Sequence, residues 1–125
     1  MQYMLLIYSD QQQSTERWEK MSEDEQKQNL DQWWAYTKEL EDAGAHVAGE
    51  ALHPIQAAKT VRLRDGERLV TDGPFAETKE QLGGFYLIDV ATEDEAVEWA
   101  AKIPSAPYGS VEVRPVMVFE DGGSS

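Results

Sequence analysis

Asp72-Gly-Pro-Phe-Ala-Glu-Thr-Lys-Glu-Gln-Leu-Gly-Gly-Phe-Tyr-Leu-Ile-Asp-Val90 passes from turn to irregular chain to strand. Asp72-Gly73-Pro74 reads as a turn, because aspartate caps the backbone amide two residues on and proline pre-sets φ. Residues 75–82 are polar and irregular, with room for one helical turn. Gly83-Gly84 then leads flexibly into Phe85-Tyr-Leu-Ile-Asp-Val90, a short run of strand formers.

Toward the N-terminus, Lys59-Thr-Val-Arg-Leu-Arg64 and Glu67-Arg-Leu-Val-Thr71 flank Asp65-Gly66. Asp-Gly supplies the two positive-φ positions of a type I′ turn, so this segment is expected to be a β-hairpin. His46 to Leu52 reads as a strand closed by Pro54. Before it, Ser22-Glu-Asp-Glu25 matches a capping box. It opens a helix with an apolar stripe at Leu30, Trp33, Trp34, Thr37 and Leu40, ended by Gly44. Residues 15–21 add an earlier helical turn anchored by Trp18 and Met21, after a polar break at 9–13. Residues 3–8 are continuously apolar and read as the first strand.

Toward the C-terminus, Thr92-Glu-Asp-Glu95 is a second capping box. Its helix is expected to bury Ala96, Val97, Ala100 and Ile103, and Pro104 stops it. A loop at 105–110 leads to a last strand at 111–119, where Pro115 demands an edge or a bulge. Residues 1–119 are read as one domain and 120–125 as a flexible tail. The element order is strand, helix, strand, hairpin, strand, helix, strand. That is an α+β, ferredoxin-like βαββαβ plan with an inserted β-hairpin. Two helices cover only one face of such a sheet. The strands at 3–8, 85–90 and 116–119 are nevertheless apolar on both faces, where a strand with one wet face would alternate. The expected cover is a second copy, giving a homodimer with sheets packed face to face.

Eleven Lys and Arg against 24 Asp and Glu set a net charge of -13. That field repels a phosphate backbone, and no basic stripe offsets it, so no nucleic-acid partner is expected. There are no cysteines, so disulfides and thiolate metal sites are excluded. The N-terminal apolar run lacks a basic flank and ends at Ser9-Asp10, too short for a signal peptide or membrane span. The expectation is a cytoplasmic protein with no membrane association.

The run Asp72 to Val90 resembles the signature of the YCII-related family, DGPF (DGPFAETKE) type. Flanking matches are Gly49-Glu-Ala-Leu52, Thr60-Val-Arg62, Ala96-Val-Glu-Trp-Ala100 and Val111-Glu-Val-Arg-Pro115. The resemblance implies a dimeric α+β barrel and no settled activity. It also implies a possible regulatory role as a non-catalytic partner, since some such domains are encoded beside extracytoplasmic-function sigma factors. Members of the wider superfamily carry a His-Asp dyad, and one branch eliminates chloride from a chlorinated muconate-type substrate. There the His lies near the start of the first helix and the Asp just after the second, before a proline. Here residues 15–44 contain no His, and 101–107 read Ala-Lys-Ile-Pro-Ser-Ala-Pro. That chemistry is not carried over.

The chemistry left to the signature lies in four residues. Asp72 and Glu80 are the catalytic candidates, with Glu77 and Lys79 as ligand-binding neighbours. Carboxylates beside an ammonium shift one another's acidity and can hold a proton for transfer. The same cluster also reads as an ordinary solvated loop, with Asp72 a turn residue. His53, before Pro54, is either a loop side chain or part of a cleft with Asp72. Tyr86 and Arg114, expected on adjacent central strands, could hold an acidic ligand if both face the open side. Otherwise Arg114 pairs with Glu112. His46, Glu50 and His53 bring at most two ligands together, short of the three a metal site needs. No cofactor motif appears: Gly83-Gly84 lacks the strand-loop-helix context of a nucleotide fingerprint. The sequence thus points to binding of a small polar or acidic molecule near Asp72 to Gly84, with carboxylate-based proton transfer as the chemistry open to it.

Overall fold

The computed structural model describes residues 1–76, 78–119 and 123–124. Its elements run β1 (Gln2–Ser9), α1 (Gln11–Glu19), α2 (Glu23–Asp42), β2 (His46–Ala51), a 3-10 turn (Ile55–Ala57), β3 (Lys59–Arg64), β4 (Glu67–Asp72) and β5 (Gln81–Asp89). Then follow α3 (Glu93–Ala101), β6 (Ser110–Pro115), β7 (Val118–Phe119) and β8 (Gly123–Ser124). The four-stranded sheet has the order β2-β5-β1-β6, with every neighbouring pair antiparallel. This α+β arrangement is compatible with a ferredoxin-like fold. β6 is an edge strand and ends at Pro115, where a missing amide costs no ladder bond.

Local signals account for most element starts. Ser22 caps α2: its hydroxyl accepts from Glu25 N at 3.2 Å, and the Glu25 carboxylate accepts from Ser22 N at 3.1 Å. Thr92 caps α3 with its hydroxyl alone, accepting from Glu95 N at 3.2 Å. Asp65 (φ 52°) and Gly66 (φ 79°) form the β3–β4 turn, as the type I′ geometry requires.

Several expectations need correction. α1 begins at Gln11, inside the stretch read as a break, because Asp10 Oδ1 accepts from Gln13 N at 3.1 Å and caps it. β5 begins at Gln81, so Gly83 and Gly84 lie inside the strand. Ile7 pairs with Gly84 and Tyr8 with Leu82, which leaves Gly83 as the extra residue of a bulge. A Cβ on Gly84 would stand 2.8 Å from Glu50 O, so glycine there permits the close approach of β2. The expected final strand is divided into β6 and β7.

The core lies between one sheet face and the helices. Tyr3, Leu5 and Ile7 of β1, Ile88 of β5, Tyr36 and Leu40 of α2, and Ala96, Ala100 and Ile103 around α3 are buried. Trp33, Tyr86, Trp99, Val111 and Val113 pack around them. Leu30 and Trp34, read as part of the inner stripe, turn outward; Trp34 is 72% exposed. Val97, expected inside, is also exposed. The buried Tyr36 hydroxyl donates to Trp99 O at 2.8 Å, joining α2 to the end of α3. Burial first, then the neighbouring Tyr86 and Glu39, raises the Tyr36 phenol far above its ordinary value.

Met4, Leu6, Phe85 and Leu87 point from the opposite sheet face and are half-buried. The β3–β4 hairpin forms a sheet of its own, and Val61, Leu63, Leu69 and Val70 are all exposed. Among the described residues, no helix is long and apolar enough to cross a membrane.

Candidate functional site

The signature contributes to a cleft of about 540 Å³ beside the first turn of α1. Asp10, Gln11, Ser14 and Thr15 form one wall, and Leu52, Pro54 and Ile55 form the other. Thr78 and Gln81, both from the signature segment, also line it. Gln11 Oε1 accepts from Ile55 N at 3.0 Å and ties the walls together. Leu52 N donates to Gly83 O at 2.9 Å, which anchors the second wall to β5. Gln81 is buried, and its Nε2 donates to Thr78 O at 2.6 Å. Among the described residues, the cleft's charged members are Asp10 and Glu16, with no Lys, Arg or His in its lining. Such a lining suits a neutral polar or cationic group better than an anion.

The sequence-selected residues do not converge there. Asp72 ends β4 in solvent, where its Oδ1 meets Lys59 Nζ at 2.5 Å. Glu80 instead accepts at 2.7 Å from the Ser110 hydroxyl on β6. The two carboxylates therefore bond to different parts of the fold. Lys79 and His53 are exposed, and neither lines the cleft although Leu52 and Pro54 do. Glu77 lies outside the described residues.

Tyr86 and Arg114 are also separated, because β1 lies between their strands. The Tyr86 side chain points to the helices, 2.8 Å from the Thr37 hydroxyl and edge-on to Tyr36. Arg114 binds Glu112 through Nε at 2.9 Å and through Nη2. Tyr86 faces the helices, so the condition that both residues face the open side is not met, and Arg114 takes the alternative partner. Tyr8 donates to Glu112 Oε1 at 3.3 Å. Loss of hydration, then the Glu112 charge, holds the Tyr8 phenol above its ordinary value.

Sequence reasoning missed Asp10, Gln11 and Gln81. Aspartate directly before a glutamine run is a usable helix-start signal. A buried glutamine leaves no comparable trace, since its burial depends on α1 arriving from elsewhere in the chain.

The YCII-related domain family matches residues 1–120. The chain is also 41% identical over 124 residues to Uncharacterized protein R00369 of Rhizobium meliloti (strain 1021), covering 98% of this chain and 97% of that protein. The chain belongs to the YCII-related domain family. In this YCII-related domain, α1 opens with Gln11-Gln12-Gln13, and no histidine occurs on α1 or α2. The segment after α3 reads Lys102-Ile-Pro-Ser-Ala-Pro107, with no aspartate. The helix start and the post-helix loop, where the superfamily dyad is expected, instead line two clefts on either side of α1.

Proposed function

We propose that this YCII-related domain is a cytoplasmic homodimer that binds a small polar molecule in the cleft between α1 and residues 52–56. The carrying observation is that Thr78 and Gln81 of the signature line a polar cleft whose walls are joined by Gln11 and Ile55. Its two carboxylates favour a neutral or amine-bearing ligand over the acidic one that sequence alone left open. With Asp72 and Glu80 bonded elsewhere, the reading is binding rather than proton transfer. Dimerisation through the open sheet face, as a dimeric α+β barrel, is supported by the apolar residues Met4, Leu6, Phe85 and Leu87 opposite the helix layer.

A thermal-shift screen of small amides, polyols, amines and carboxylates tests the ligand. Neutral or amine compounds should stabilise the wild type and lose that effect in Gln81→Leu. A screen in which only carboxylates act, or none does, defeats the proposal. Light scattering at micromolar concentration should return twice the mass of one chain; the mass of one chain removes the dimer.

A second reading rests on the exposed apolar hairpin. A protein partner, sigma-factor-related in the family's pattern, would cover Val61, Leu63 and Val70. It requires the hairpin to stay open to hydrogen exchange in the homodimer; protection there assigns the surface to the second copy.

A further inference from the structure

The other side of α1 carries a cleft of different chemistry, about 500 Å³ in volume. α1 and α2 meet at a corner held by Gln26, whose Nε2 donates to Trp18 O at 2.9 Å. After α3, the amides of Tyr108 and Gly109 both donate to Ser105 O, at 2.9 and 3.0 Å. This tight loop carries Tyr108 to the cleft. The lining presents three aromatic rings, Trp18, Trp33 and Tyr108, with the carboxamides of Gln28, Asn29 and Gln32 beside them.

Arg17 supplies the cleft's positive charge. Its guanidinium lies 4.2 Å from the centre of the Tyr108 ring. Among the described residues it forms no ion pair. An unpaired, half-buried guanidinium in a chain this acidic is available to an anion. Among the described residues, Glu25 is the cleft's one carboxylate, and it is already engaged by Ser22 N in the α2 cap. The cleft also includes Ser105, whose Oγ is buried without a hydrogen-bond partner. A buried hydroxyl in that state marks a place where a polar partner is missing.

We propose that this cleft binds a planar aromatic carboxylate, its ring against the indoles of Trp18 and Trp33 and its carboxylate on Arg17. Stacking against aromatic faces selects a flat ring, and the guanidinium fork selects a carboxylate over a neutral substituent. Ser14 lines both this cleft and the polar one, but Trp18, Trp33 and Arg17, on which the proposal rests, line this cleft alone. Binding here would persist if the polar cleft bound nothing.

The test is a titration of the full chain with sodium benzoate, read by nuclear magnetic resonance of the indole N–H and Arg17 Nε–H signals. Saturable shifts at Trp18, Trp33 and Arg17 are expected, with a Kd near ~1 mM for so small a ligand. Acetate should fail for lack of a ring. Arg17→Gln should weaken benzoate by about tenfold while leaving the weaker response to benzamide unchanged. The unliganded thermal transition of that variant checks that the fold is intact. Gln81→Leu, in the other cleft, should leave the titration unaltered. Absence of indole shifts at about 10 mM benzoate, equal shifts with acetate, or unchanged affinity in Arg17→Gln each overturns the proposal. Loss of binding in Gln81→Leu does so as well, by placing the ligand in the other cleft.

Discussion

β1 and the β3–β4 hairpin are built from similar strand-forming residues but meet different surroundings. Tyr3, Leu5 and Ile7 are 4%, 0% and 8% exposed, whereas Val61, Leu63 and Val70 are 60%, 68% and 53% exposed. Both segments are paired antiparallel strands. What differs is the layer above them. α2 and α3 cover β1, and among the described residues no comparable layer covers the hairpin. A two-stranded ribbon is at best marginal alone, so strand propensity and a good turn are insufficient to bury it. The comparison teaches that pairing follows from local sequence and that burial follows from what is laid across the pair.

The largest effect should come from the covered side. Ile88→Ala removes a fully buried side chain opposite Tyr3. It should cost about 2–5 kcal/mol in urea unfolding. A loss under about 0.5 kcal/mol would erase the contrast between sheet and hairpin.

Tyr36→Phe should cost about 1 kcal/mol by deleting the bond to Trp99 O. It also has a signed pH dependence. The folded phenol's pKa is raised above its unfolded value. Its contribution is therefore fully present below about pH 10 and is lost as pH rises toward the folded value. Wild-type stability should fall more steeply than that of Tyr36→Phe above that pH, as read by urea midpoints. Parallel pH profiles would show that the covered layer is open to solvent.

The smallest change in single-chain stability belongs to the hairpin. Val61→Ser with Leu63→Ser should alter urea stability by less than about 0.5 kcal/mol under monomeric conditions. If a second copy covers these side chains, the same variant should lower the dimer fraction in sedimentation. An unchanged dimer fraction would leave the hairpin outside that interface and sharpen the contrast.

Much of the local fold was legible. Ser22-Glu-Asp-Glu25 announced α2 because both halves of its cap lie within four residues. Asp65-Gly66 announced its turn because two positive-φ positions are a local demand. The phase of α2 was less legible. Leu30, Trp33, Trp34, Tyr36 and Leu40 spread apolar groups around the helix, and periodicity alone selected Leu30 and Trp34. Packing against α3 and β5 kept Trp33, Thr37 and Leu40 of the stripe read from periodicity, added Tyr36 and turned Leu30 and Trp34 outward. For the site, the signature segment supplies Thr78 and Gln81 to the cleft beside α1. Its most chemical members, Asp72 and Glu80, find partners in Lys59 and Ser110, thirteen and thirty residues away, which local sequence does not announce.

By itself the sequence determined the family, the α+β class, the helix cap at Ser22 and the hairpin turn. Each depends on residues close together in the chain. Tertiary structure alone decided that Tyr86 turns toward Thr37, that β1 separates Tyr86 from Arg114, and that two clefts flank α1. Those outcomes depend on which strand lies between β5 and β6 and on which helix face meets the sheet. Distant segments set both through packing, beyond the reach of any local pattern.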